Sequence, residues 1–428
     1  LDLLVGRDLK EKRMVHLAMN RLLVSLIFLL SLYLPVYAQT VGHSSDLIYI
    51  NTSFESASPL YWEIDANRQV HVYLVYDQER ASPNRANGHW LFEVQAKPGA
   101  ELTLVLHNFD NIWNGRKGSP INERTVCFIS QDGKAWRAIP TEKTAENHLK
   151  IQVTVDGGSL YLARLEPYRL SDLEALKQEF RDNRAVEITT IGRTVEGREL
   201  EIVRIGNPAA AHRVLLRARA HPWEAGGNWV VHGLAKRLLA GDDQARRHLD
   251  TYCVYIMPMA NKDGVARGWT RFNMLGADLN RKWDAPADPD VNPENHALER
   301  WLESVVARRQ GPQLMIDLHN DEGGKLHIAR PDVKLDTYLK NMARLEAMLR
   351  EHTWFTEGST GANYRNPGSI GEGLLERFGI DACVLELNAN WIAGLNAPPS
   401  ARSWKLFGAQ LCEALYHYFQ QGDSDSAR

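Results

Sequence analysis

The chain has 428 residues, 44% hydrophobic and 24% charged, with a formal net charge of −3 at pH 7. That length accommodates two or three domains of ~150 residues, and the composition is that of an ordinary globular protein. A near-neutral balance provides no field for a polyanion and excludes nucleic acid as an expected partner. The four cysteines, Cys127, Cys253, Cys383 and Cys412, sit in apolar surroundings without C-x-x-C spacing. Buried free thiols are expected, although export would allow two of them to pair.

Residues 22–34 are almost wholly apolar, Arg21 precedes them, and Val36-Tyr37-Ala38 ends in small-residue style. This is the layout of a secretory signal peptide cut after Ala38. The apolar run is short of the ~20 residues that span a bilayer, so a membrane is expected only if the segment is retained. Translation from Met14 or Met19 would give a more usual leader. Residues 1–38 are set aside from the fold, and the expected location is exported, periplasmic or secreted; it is cytoplasmic if the segment is not used.

From residue 39 to 166 the periodicity is two, the strand signature. Residues 70–76 and 89–94 are rich in β-formers, and Leu102, Leu104 and Leu106 alternate after the Pro98-Gly99 turn. Asp132-Gly133 and Asp156-Gly157 are expected to close hairpins. Short strands separated by turns predict an all-β antiparallel sandwich with no catalytic constellation of its own. The boundary falls near Glu166-Pro167-Tyr168. Ser171 with Glu174 three residues on predicts a capping box opening a helix through Leu173, Leu176 and Phe180. From 167 to 428 strands alternate with helical patterns, residues 227–239 and 335–349 among them, which predicts an α/β domain.

Two segments carry chemistry: His221-Pro222-Trp223-Glu224 and Asp317-Leu318-His319. Each follows an apolar strand-like run, residues 214–216 and 314–316. Two imidazoles and a carboxylate from separate strands hold zinc and leave a position open for water, the arrangement of a catalytic site. Ligands in open α/β sheets collect outside the carboxyl ends of the strands, where Glu386 also lies. His221, Glu224 and His319 are the expected ligands of one Zn²⁺ per chain. His212, His232, His296 and His327 read as ordinary hydrogen-bonded histidines.

Between the segments stand Asn261-Lys262-Asp263-Gly264-Val265, Arg271 and Asp278-Leu279-Asn280-Arg281; after them come Tyr364 and Cys383-Val384-Leu385-Glu386. Over residues 170–425 this order resembles the M14 zinc carboxypeptidases, and within them the cytosolic carboxypeptidase branch, whose catalytic domain follows an all-β domain. The resemblance implies a mixed open sheet flanked by helices and a role for each residue. Glu386 is the expected general base and Arg271 the expected oxyanion donor. Asn280 and Arg281 are expected to clamp a terminal carboxylate. Tyr364 would close over the substrate, and Asp278 would hold the outer proton of a ligand imidazole.

There are departures from the pattern. Trp223 replaces a small residue, and Lys262 replaces the proline of N-P-D-G, a change read as lying in a turn. The expected activity is removal of C-terminal residues from peptides or proteins. A zinc amidase acting on cell-wall (murein) peptides is the alternative, and an inactive peptide-binding relative ranks third.

Overall fold

Two five-stranded sheets face each other across residues 47–163, built by alternating apolar side chains. The structure, a computed structural model, describes residues 46–330, 335–361 and 368–426; the expected leader and Tyr364 lie outside them. The strands are β1 (Leu47–Asn51), β2 (Leu60–Ile64), β3 (Val70–Leu74), β4 (Leu91–Ala96), β5 (Ala100–His107), β6 (Asn111–Trp113), β7 (Arg116–Gly118), β8 (Val126–Ser130), β9 (Arg137–Pro140), β10 (Glu142–Lys143), β11 (Leu149–Val155) and β12 (Ser159–Ala163). One sheet runs β1-β4-β12-β8-β9, the other β10-β11-β5-β3-β2, and β6-β7 is a separate hairpin. Val70, Val72 and Leu74 point inward with Leu102, Leu104 and Leu106, while His71 and Tyr73 face outward, as period-two patterning requires.

Two expectations for this part need correction. Asp132-Gly133 lies in the turn between paired strands β8 and β9, but Asp156-Gly157 joins β11 to β12, which belong to different sheets. That turn is an arch across the sandwich. A hairpin and an arch carry the same alternation, so the sequence does not separate them. The sandwich is also not wholly antiparallel, because β3 and β5 run parallel.

The second part holds a seven-stranded sheet of β13 (Val186–Arg193), β14 (Glu199–Ile205), β15 (His212–Ala218), β16 (Tyr252–Met257), β17 (Leu314–Asp321), β18 (Lys325–Ile328) and β19 (Asp381–Asn388). Its order is β13-β14-β16-β15-β17-β19-β18, with β16, β15, β17 and β19 mutually parallel and the outer pairs antiparallel. Parallel strands covered on both faces read as continuous apolar runs, as residues 214–216 and 314–316 do.

The helices are α1 (Leu170–Phe180), α2 (Gly226–Leu238), α3 (Asp243–Thr251), α4 (Lys262–Ala266), α5 (Pro293–Ala307), α6 (Leu335–His352), α7 (Ile370–Phe378) and α8 (Ala401–Ser426). One face of the sheet packs on α2, α6 and α8 through Leu216, Ile316, Leu385, Leu234, Leu345 and Phe407. The other packs on α5 and α7 through Leu215, Met315, Val384, Leu298 and Leu374. Among the described residues no helix is long and apolar enough to cross a membrane.

Helix α1 begins two residues earlier than its capping signature predicts. Arg169 is the cap residue and its N–H donates to Asp172, while Ser171 turns away to hydrogen-bond Glu55 of the sandwich. All four cysteines are buried and free.

Candidate metal centre

The catalytic side chains grow from one face of the sheet where apolar residues give way to polar ones. In the parallel register Arg217 of β15 stands opposite Asp317 of β17, and His319 of β17 opposite Glu386 of β19. Side chains two apart share a face, so these four continue the row that begins with Leu215, Met315 and Val384. Beyond β15, Arg219 adopts φ 62° and its guanidinium binds the Pro222 and Tyr168 carbonyls and Asn228. That turn presents His221 and Glu224 just before α2. Gly264 explains the glycine of the N-K-D-G-V run: a Cβ there would lie 2.3 Å from Pro222 Cγ, so α4 packs directly on the ligand turn.

His221, Glu224 and His319 converge and are buried. His221 Nδ1 lies 2.7 Å from Glu224 Oε1, His319 Nδ1 lies 2.8 Å from Glu224 Oε2, and the two Nδ1 atoms are 3.1 Å apart. Each ring presents its other nitrogen to a buried carboxylate: His221 Nε2 meets Asp278 Oδ1 at 3.1 Å and His319 Nε2 meets Asp317 Oδ2 at 2.7 Å. With Nε2–H donated outward, both Nδ1 lone pairs and a carboxylate aim at one point. No proton satisfies all three, and a zinc ion does. The residues therefore fit one zinc ion per chain.

Electrostatics keep this donor set charged. Burial opposes ionisation of Glu224 and Asp317, but both carboxyls are held below the usual range. The imidazoles do this for Glu224, and Arg217 followed by His319 brings Asp317 to about 2. Asp278 is likewise buried, yet Arg271 and then His221 hold it well below the ordinary value. Arg217 grips Asp317 with two bonds of 2.9 Å. Asp278 is expected behind a ligand from its motif, whereas no role is expected for Asp317 or Arg217. The D-L-H motif contained the signal: an aspartate two residues before a strand-end histidine faces the same way.

The remaining predicted residues gather in a cleft of about 690 Å³ lined by His221, Glu224, Arg271, Asn280, Arg281 and Glu386. Burial and then the neighbouring Asp321 push the Glu386 carboxyl well above its ordinary pKa, and its Oε2 is buried without a hydrogen-bond partner. Arg271 Nε donates to Asp278 Oδ2 at 2.8 Å, and its Nη1 lies 3.4 Å from His221 Nδ1. Asn280 Oδ1 accepts from Ile370 N at 3.2 Å, leaving its Nδ2 as donor for a ligand. Arg281 donates to the Asn280 carbonyl at 2.7 Å.

Three sequence readings change here. His327 is not a bystander: it lines the cleft and clusters with Asp321 and Glu386. Lys262 does more than fill a turn, since it is buried at the start of α4 and shares Glu201 of β14 with Lys177 of α1, at 2.5 and 2.6 Å. Trp223 has a partner in the buried Arg164, whose guanidinium lies 5.6 Å from the Trp223 ring and donates to Asn390 at 2.6 Å.

A buried His–Glu–His set at strand ends, each imidazole backed by a carboxylate, defines the metal centre of a zinc-dependent peptidase. Residues 171–323 match the zinc carboxypeptidase family model, M14. Human cytosolic carboxypeptidase 1 is 35% identical over 106 residues, which are 25% of this chain and 9% of that protein. Cytosolic carboxypeptidase 6 of Caenorhabditis elegans is 32% identical over 158 residues, 35% of this chain and 33% of that one. The chain thus spans a third or less of the length of these two curated relatives. The crystal structure of a metallo-carboxypeptidase from Burkholderia cenocepacia superposes with a TM-score of 0.77 at 21% identity, covering 88% of this chain and 100% of that one. The shared fold therefore reaches beyond the family-matched segment.

Proposed function

We propose that the protein is a metallocarboxypeptidase of the cytosolic carboxypeptidase-like branch, hydrolysing the C-terminal peptide bond of peptides or proteins. The observation that carries this reading is one cleft containing a zinc-type donor set, a carboxylate with raised pKa and two guanidiniums. The branch assignment is supported by the ordered motifs and by the two named relatives. Export through residues 22–34 is part of the reading and rests on sequence alone.

Zinc held by His221, Glu224 and His319 would supply Lewis acidity to a water and to the scissile carbonyl. Asn280 Nδ2 and the Arg281 guanidinium bind the terminal carboxylate, which fixes the register of the chain and confines cleavage to its last bond. Glu386 takes a proton as the water oxygen bonds to the carbonyl carbon, then delivers it to the leaving nitrogen as the C–N bond breaks. Its raised pKa favours the proton-carrying half of that cycle. Arg271 meets the negative charge that develops on the carbonyl oxygen.

Amidating the C-terminus of a good peptide substrate tests the reading. The free acid should be cleaved well and the amide poorly, with Arg281→Ala narrowing the difference. Equal turnover of both forms by the wild type would remove the clamp and move a cell-wall amidase or an endopeptidase ahead.

A further inference from the structure

The oxyanion arginine is held largely by the sandwich. Arg271 sits in a loop, yet the backbone N–H groups of three consecutive residues donate to one carboxylate of the other part of the chain. Asp77, just beyond β3, accepts from Thr270 N at 2.9 and 3.1 Å, from Arg271 N at 2.5 Å and from Phe272 N at 3.1 Å. Asp77 is 6% exposed. Thr270 is gripped again through its hydroxyl, which lies 3.4 Å from both His89 N and Asn87 Oδ1.

The guanidinium is held from the same side. Hairpin β6-β7 turns at Asn114 (φ 48°) and Gly115 (φ 76°) and brings Trp113 over the cleft. The Trp113 ring centroid lies 4.2 Å from Arg271 Cζ and 5.5 Å from Arg281 Cζ. The hairpin is itself pinned, with Arg85 and Ile112 exchanging two backbone hydrogen bonds of 2.9 Å and Asn114 N donating to Asn84 Oδ1 at 2.8 Å. From the α/β part, Asp278 and His221 meet the edge of this guanidinium, as described above. Backbone and ring face are both held by residues nearly 160 or more positions earlier in the chain.

We propose that Asp77 and Trp113 are positioning residues, and that through them the sandwich completes the oxyanion site by orienting Arg271; this rests on the role given to Arg271 above. A loop arginine free to swing would lose the advantage of a dipole aimed before the reaction begins. A carboxylate accepting three backbone N–H groups fixes the Cα of Arg271. An aromatic face at 4.2 Å fixes its plane and strips water from it. Trp113 lies farther from Arg281, so its influence should fall on the step where charge develops more than on ground-state binding.

The test is a double-mutant cycle on the full chain with Asp77→Asn, Trp113→Leu and Arg271→Ala, reading kcat and KM separately on a free-acid peptide. Asp77→Asn should lower kcat about tenfold or more with KM within about twofold, because the amide cannot accept all three donors. Trp113→Leu, which keeps an apolar cover without the π face, should lower kcat about three- to thirtyfold, and Trp113→Phe should restore most of it. In the Arg271→Ala background each substitution should cost less than about twofold. Zinc content should stay at one per chain throughout.

Full additivity with Arg271→Ala, or a wild-type kcat in both variants, would overturn the proposal. If Asp77→Asn does not fold, Trp113→Leu carries the cycle alone, since that side chain is 38% exposed on a hairpin. If the wild type releases no amino acid, the exopeptidase reading fails. The same cycle is then run on the Kd of a peptide phosphonate, where loss of coupling between Trp113 and Arg271 would sink the inference.

Discussion

Asp317→Asn separates metal binding from fold stability. The side chain does two jobs at once: it accepts from His319 Nε2 at 2.7 Å and pairs Arg217 through two bonds of 2.9 Å, with both residues wholly buried. An amide keeps the shape and one acceptor but abandons the charge. Arg217 is then left with Asn295 Oδ1 at 3.5 Å, the Leu279 carbonyl at 3.3 Å and the Trp283 ring at 5.3 Å. Breaking a buried pair from one side costs about 3–5 kcal/mol, and weakening the support of a ligand imidazole costs about 10–100-fold in zinc affinity. Denaturant titration of the zinc-free protein reads the first effect, and competition with a chromophoric chelator reads the second. The double variant Arg217→Met/Asp317→Asn should recover much of the stability, because no uncompensated cation remains, without recovering the affinity. Zinc affinity within about twofold of wild type in Asp317→Asn would refute the idea that Asp317 orients His319.

Three further outcomes are expected. Glu386→Gln should retain zinc and fold while losing about 10²–10⁴-fold in kcat, as measured by steady-state kinetics with metal analysis; a variant keeping a large share of turnover would take Glu386 out of the mechanism. Saturating zinc at a thousandfold excess over Kd should stabilise the wild type by about 4 kcal/mol, whereas His319→Ala should bind little metal and gain little, which thermal melts with and without a chelator would check. Glu413 of α8, hydrogen-bonded to Gln244 and His248 of α3 and paired with Arg247, has its pKa lowered to about 2 although burial alone would raise it. A lowered carboxyl pKa gives stability that is present above its unfolded value of ~4.3 and lost as pH falls toward 2. Glu413→Gln should therefore cost about 1 kcal/mol near neutrality, a figure reduced for solvent screening, and nothing below pH 2; an equal cost at both would contradict the linkage.

Much of the centre was legible because zinc chemistry constrains residue types at strand ends, and strand ends announce themselves by apolar runs. His221, Glu224 and His319 converge as their motifs imply, Asp278 stands behind His221, and Arg271, Asn280, Arg281 and Glu386 line one cleft with His221 and Glu224. What stayed hidden depends on register or on distant partners. Asp317 acquires its role from standing opposite Arg217 on the next strand, a pairing no local pattern encodes. Asp77 and Trp113 approach the site from the sandwich, and a lone aspartate after a strand is an unremarked residue until the fold brings Arg271 to it. Lys262 could be read only as a loop substitution because its partner, Glu201, is 61 positions away. Helix α1 shows the opposite failure: a local signature at Ser171 was present but overruled by Glu55, which offered that serine a tertiary bond.

The facing of His319 and Glu386 across adjacent parallel strands also limits how this enzyme can change. Side chains alternate between sheet faces, so removing or adding one residue within residues 314–318 or 381–385 would turn the histidine or the glutamate toward the α2–α8 side and away from the cleft. Point substitutions in those runs are damped by packing, but indels there are intolerable at any level of stability. Length variation is thereby channelled into segments that rim the cleft without bearing on this pairing or on Trp113, such as the turn around Gly323. A scan of single-residue deletions should show that map as two silent gaps in activity bounded by tolerant loops, and those loops are where new side-chain preferences would be selected.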